Sequence, residues 1–197
     1  AIVNKAVLAT EMNKAPTSAL VNRMLPMCPA GQVVSNLVYS MDFENGADGW
    51  DTYESDLEAQ FQLHQVKSDA TDLFGPDASV AAEANAFMLD PIDVPASGTT
   101  YVQFTHAYQF DAYGGDYYDG GRVLYSTTGN PGPYNDLTAI SGAATLNGYN
   151  ATLSVYGGNT NPWEGLAAFT AESPGFQSTR INISALVGES INIGFFT

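Results

Sequence analysis

Basic residues are scarce in this 197-residue chain: 6 Lys and Arg stand against 21 Asp and Glu, a formal charge of −15. A surface that tracks phosphates needs clustered cations, so nucleic-acid binding is excluded and anionic membrane surfaces are disfavoured. Charged residues of both signs make up only 14% of the chain, below the roughly 25% usual in soluble domains. The acidity therefore comes from missing Lys and Arg rather than from surplus acid. Cysteine is nearly absent: Cys28 stands alone, which rules out an internal disulfide, and no histidine beside it suggests a catalytic thiol. No apolar run approaches the roughly 20 residues of a membrane-spanning helix, so membrane insertion is not expected. The start, Ala1-Ile2-Val3-Asn4-Lys5, lacks the cationic and apolar succession of a secretory signal. A secreted protein would have lost that signal or carried it upstream.

Hydrolytic motifs are also missing. The chain contains no His-Glu-x-x-His, no Gly-x-Ser-x-Gly and no phosphate loop ending in Lys-Ser/Thr. No residue is assigned a catalytic role. The two histidines, His64 and His106, fall in separate predicted strands and read as structural, since zinc normally takes three or four N/S ligands. A glycosidase with paired carboxylates is compatible with the residue types, but nothing singles out a pair.

What is present favours β structure. Hydrophobic residues are 45% and aromatics 12%, enough for a sizeable core and incompatible with disorder. Beyond Val38, short runs of Val, Ile, Tyr, Phe and Thr alternate with Gly, Asn, Asp and Pro. Strands are predicted at 37–43, 61–66, 86–89, 101–110, 121–126, 151–156, 178–183 and 191–196, with helical turns at 69–74, 78–85 and 183–186. In the clearest strand, Val102, Phe104 and Tyr108 share one face while Tyr101, Gln103, Thr105 and Gln109 share the other. The expected fold is all-β, a two-sheet antiparallel β-sandwich of jelly-roll type. Residues 1–40, with three of the basic residues (Lys5, Lys14, Arg23), one acid (Glu11) and three prolines between 16 and 31, read as a linker or the terminal strand of a preceding module. The sandwich domain then spans 41–197. Few cysteines, few lysines and many small polar residues fit a secreted or surface-exposed bacterial protein.

Two acidic stretches suit calcium, which takes six to eight oxygens from carboxylates, carbonyls and water. From Asp42 to Glu58 there are seven carboxylates and no Lys or Arg, a run that repels itself unless solvated, screened or metal-bound. Asp42 and Glu44 would point to one side of an extended strand, with Phe43 facing the core. In Asp111-Ala112-Tyr113-Gly114-Gly115-Asp116-Tyr117-Tyr118-Asp119-Gly120-Gly121, carboxylates alternate with permissive glycines. Tyr117, Tyr118 and Trp163, in Gly-rich or Pro-rich segments, are candidate stacking residues for a glycan.

Taken in order, these pieces resemble a known module. The strings Asp42-Phe43-Glu44-Asn45-Gly46-Ala47-Asp48-Gly49-Trp50, Tyr118-Asp119-Gly120-Gly121-Arg122-Val123-Leu124-Tyr125-Ser126, Asn161-Pro162-Trp163-Glu164-Gly165 and Ile191-Asn192-Ile193-Gly194-Phe195-Phe196 are similar to the jelly-roll accessory domains of secreted bacterial metallopeptidases of the fungalysin type. They are similar too to MAM-like adhesive sandwiches. The resemblance covers about residues 42–197 and implies a non-catalytic domain, often holding a structural Ca²⁺. Carried onto this chain, it makes Glu44 the first ligand, with Asp42 beside it and Asp119 as a ligand or as the acid pinning its turn. The resemblance also departs: a further Asp-bearing loop and a final strand that the family supplies lie beyond Thr197, and Thr127–Tyr134 lacks the family's Asp-Gly-Gly turn and Trp. A sandwich missing a strand exposes an edge. Ile2–Thr10, from the same chain or a neighbour, is expected to fill that edge by strand addition, with self-association as one outcome. The functional expectation is a calcium-stabilised module that binds a glycan or protein. The alternatives are an accessory fragment of a secreted hydrolase and a structural subunit of a surface assembly.

Overall fold

The computed structural model describes residues 2–11, 34–67, 70–76, 78–79, 81–130, 132–140, 145–154 and 161–197. Cys28 lies outside them. Seventeen strands, numbered in chain order, are formed by these residues: β1 Ile2–Glu11, β2 Val34–Met41, β3 Trp50–Glu54, β4 Gln62–Lys67, β5 Ala70–Phe74, β6 Ala84–Met88, β7 Ile92–Asp93, β8 Thr100–Ala107 and β9 Ala112–Tyr113. The remainder are β10 Asp116–Tyr117, β11 Arg122–Ser126, β12 Asn135–Asp136, β13 Thr145–Leu146, β14 Ala151–Thr152, β15 Ala167–Ala168, β16 Gln177–Asn182 and β17 Ser190–Phe196. Among the described residues no α-helix occurs, only short 3-10 turns at Leu57–Ala59, Leu137–Ala139 and Ser184–Leu186. No helix there is long and apolar enough to cross a membrane.

Two antiparallel sheets carry the fold. One runs β13-β16-β8-β1-β5-β4, with β2 also paired to β1; the other runs β12-β11-β17-β6-β3, with β7 on β17. The chain crosses between sheets at β2–β3, β3–β4, β5–β6, β7–β8, β8–β11, β12–β13 and β16–β17, the connectivity of a sandwich wound back and forth rather than two separate meanders. Their inner faces meet ring to ring. Phe104 of β8 packs edge-on to Phe195 of β17 with centroids 5.1 Å apart. Within the second sheet Trp50 stacks on Phe195 at 5.8 Å. Val102, Ile181, Val123 and Ile193 fill the layer between them, all essentially buried. Trp50 is thus a core aromatic, and its indole N–H is satisfied by the Tyr39 hydroxyl at 2.7 Å.

Several local expectations change once the strands pair. The helical turn read at 69–74 is strand β5, because its backbone pairs with β4 on one edge and β1 on the other. Tertiary pairing overrides a weak local preference there. Within 78–85 the described residues are irregular until β6 begins at Ala84. Trp50–Glu54, outside the predicted strands, is an edge strand on β6. The outer face of β8 is not solvated: Gln103 and Thr105 are buried, and the Thr105 hydroxyl pairs with that of Ser178 at 3.0 Å.

The apolar N-terminal run lies inside a sheet. Residues Ile2–Thr10 pair with β8 along one side, while the other side takes β5 at Ile2–Val3 and β2 from Ala6 to Glu11. Strand pairing therefore crosses residue 40. At the other end β17 is interior, held between β11 and β6, and Thr197 exchanges two backbone hydrogen bonds with Ala84.

Candidate functional site

An open groove of about 1650 Å³ runs across one end of the sandwich. Besides residues at Ser55, Ala59, between Phe74 and Glu83, and at Glu172 to Gly175, three chain segments contribute to its lining. The first is the exit of β8, through Tyr108 and Phe110 to Asp111. Asp111 then enters the hairpin β9–β10, whose turn residues Gly114 and Gly115 have φ of 66° and 99°. Positive φ at both central positions makes a type I′ turn, which glycine adopts without strain. The stretch that read as an acidic, glycine-rich loop is therefore a hairpin, and its Gly-Gly pair was the signal for it.

The second segment is Tyr118-Asp119-Gly120. Here the backbone passes so close to its neighbour that a β-carbon on Gly120 would sit 2.9 Å from both the Ala168 methyl and the Phe169 carbonyl oxygen. Gly121 and Phe169 then exchange backbone hydrogen bonds at 2.9 Å each way. The pair of glycines is what lets Asp119 stand at the groove with its backbone held flat against 168–169.

The third segment is Asn161-Pro162-Trp163. The Asn161 side chain accepts from the Trp163 backbone N–H at 2.8 Å, an Asx turn. Its amide donates to the Tyr118 carbonyl at 2.9 Å. One side chain thus locks two candidate aromatic positions to each other. Ser154 adds a tie, donating its backbone N–H to the Tyr117 carbonyl at 2.7 Å. Arg122 lies over the Trp163 ring, with its guanidinium carbon 5.8 Å from the centroid, and Phe196 meets the ring edge-on at 6.4 Å. Arg122 is itself anchored by Asp136 at 2.5 Å and by the Ala167 carbonyl at 3.2 Å. The indole therefore packs against both Arg122 and Phe196.

The groove brings together Tyr118, Asp119 and Trp163, three of the residues singled out from sequence. Tyr117 is half-buried beside it and does not line it. Sequence reading missed Asn161 as the clamp and Glu83, Phe110 and Glu172 as lining residues. Asn-Pro-Trp was a legible Asx-turn signal, whereas Glu83 and Glu172 reach the groove only through the sheet crossings. The described lining holds four carboxylates (Glu83, Asp111, Asp119, Glu172) and no Lys or Arg.

Asp42 and Glu44 stand elsewhere, in the turn between β2 and β3, and neither lines the groove. Phe43 between them is fully buried at φ 62°, a left-handed backbone that costs a bulky residue roughly 1–2 kcal/mol. It is held there by core burial and an edge-on contact with Trp50 at 5.7 Å. Asp42 accepts from the Glu44 backbone N–H at 3.2 Å, and Glu44 accepts from the Thr71 N–H at 3.0 Å, tying this turn to β5. Among the described residues no three acidic, His or Cys side chains converge as a metal set. Asp42, Glu44 and Asp119 therefore do not fit calcium as one ligand group. Asp42 and Glu44 remain together in one turn.

His106 is buried, with Nε2 2.9 Å from the Thr179 hydroxyl. That hydroxyl donates to the Asn147 carbonyl, so the imidazole must be the donor to Thr179 and carries its proton on Nε2. Burial pushes its pKa from 6.5 down to about 3, which keeps the ring neutral. Tyr149, by contrast, is raised well above its ordinary value, by burial first and by nearby Asp136 second. Its hydroxyl accepts from the Val123 N–H and donates to the Val123 carbonyl. His64 is exposed and leans on Phe74 at 5.3 Å.

No family model, curated protein or solved structure matches this chain.

Proposed function

We propose that this chain is a non-catalytic β-sandwich module of a secreted or surface-exposed protein, and that it holds a glycan or protein ligand in the groove at the end of the sandwich. The carrying observation is the Asn161 clamp, which ties the backbones of Tyr118 and Trp163 to each other at the groove. Ordering paid for during folding is not charged again on binding, so a preformed aromatic wall favours recognition. The hydrolase reading is the alternative, because Glu83, Asp111 and Glu172 share the groove and paired carboxylates can cleave glycosidic bonds.

The test is affinity electrophoresis of the purified chain through gels containing soluble polysaccharides, beside a screen on immobilised extracellular-matrix proteins. Retardation or capture that Trp163→Ala abolishes, with the polymer recovered uncut, supports the binding reading. Shortened polymer after overnight incubation supports the hydrolase. Calcium belongs to the proposal through Asp42 and Glu44, whose turn supplies carboxylates and backbone carbonyls of the type this ion takes.

A further inference from the structure

The groove's lining also says which ligand chemistry it accepts, an inference that rests on the binding reading above. An open volume of about 1650 Å³ exceeds the roughly 300–1,000 Å³ of pockets that enclose one small molecule. It suits an extended chain. Four carboxylates face that volume without a described Lys or Arg among them, on a molecule already at −15. A uronic acid, a sulfated sugar or a phosphate would enter against four like charges, which disfavours acidic glycans.

A basic peptide satisfies the charge but not the aromatic wall. The Trp163 ring already carries the Arg122 guanidinium as its cation–π partner, and Arg122 does not line the groove. A second cation on the same indole would meet a ring whose electron density is drawn to the first. A neutral sugar has neither difficulty. Its hydroxyls donate to carboxylate oxygens, and its C–H face lies on an aromatic ring without bringing charge. Tyr118 and Trp163, whose backbones are tied to each other through Asn161, line the groove together with the carboxylates Asp111 and Glu172.

We infer that the groove binds a neutral oligosaccharide of several residues, with Trp163 and Tyr118 as its stacking surfaces and Asp111 and Glu172 as hydroxyl acceptors. The experiment is calorimetric titration of the whole chain at low salt, with NMR observation of the Trp163 indole N–H. The probes are cellohexaose, xylohexaose, mannohexaose and chitohexaose, against hexagalacturonate, a heparin hexasaccharide and a lysine nonapeptide. At least one neutral hexasaccharide is expected to bind and to shift the Trp163 signal, with the acidic sugars at least about tenfold weaker. Trp163→Ala and Tyr118→Ala are each expected to weaken that binding about tenfold. Asp111→Asn is a milder second variant, expected to lose affinity with the thermal melt unchanged. Preferred binding of an acidic sugar or of the lysine peptide at Trp163 overturns the neutral-sugar inference and leaves the groove as a binding site. No shift of Trp163 with any probe, together with no retardation or capture in the wider screen, overturns both.

Discussion

At the scale of single residues, polar side chains inside this sandwich act mainly as braces for backbone. Asn161 satisfies two main-chain groups from different segments. Replacing it by Ala leaves both without that partner, and each lost buried hydrogen bond costs about 1–3 kcal/mol when a group is stranded. Asn161→Ala is therefore expected to lower the urea midpoint measurably and to broaden the Trp163 resonance. His106 behaves differently, because its cost depends on pH. The folded ring holds no extra proton until about pH 3, whereas the unfolded ring takes one up near 6.5. Its contribution is complete above pH 6.5 and is lost as pH falls through that window, at about 1.4 kcal/mol per unit. Between pH 6.5 and 5 the wild type is expected to lose roughly 2 kcal/mol from this group. His106→Gln, which can still donate to Thr179, should flatten that part of the stability profile measured by urea denaturation at pH 7, 6 and 5.

At the scale of elements, close approach and pairing set tolerance. Gly120 has no room for a methyl group against Ala168 and Phe169. Gly120→Ala is expected to destabilise by about 1–3 kcal/mol through overpacking, read as a lower thermal midpoint. Strand β1 joins β8 to β5 and β2 within one sheet. Deleting residues 1–11 would leave the β8 edge from Thr100 to Ala107 without its ladder. The shortened chain is expected to elute as oligomers or to precipitate, whereas the full chain at equal concentration does not. A monomeric, fully stable deletion variant on gel filtration would show β1 to be dispensable.

At the scale of the molecule, six of the 21 acids stand in two places with different geometry. In the β2–β3 turn, Asp42 and Glu44 cap backbone groups across to β5. At the groove, Asp119 stands with three other carboxylates. The two sites predict separable responses. Millimolar calcium is expected to raise the thermal midpoint, and Asp42→Asn with Glu44→Gln is expected to remove that rise. Asp119→Asn should leave it intact. A midpoint indifferent to calcium and chelator in the wild type would sink the calcium reading.

The sequence by itself determined the class of fold, because period-two alternation and Gly/Asn/Asp/Pro punctuation are local signals that survive without neighbours. It also marked Tyr118, Asp119 and Trp163 through residue type and glycine context. Tertiary structure alone decided that residues 70–74 are a strand, that Ile2–Glu11 lies inside a sheet, and that Glu83 and Glu172 share a groove with Trp163. Each of those depends on pairing or crossing between segments far apart in the chain, and backbone hydrogen bonds between strands leave no trace in local composition. The same holds for the acids: their number is written in the sequence, but whether they converge is set by which sheet each turn leaves.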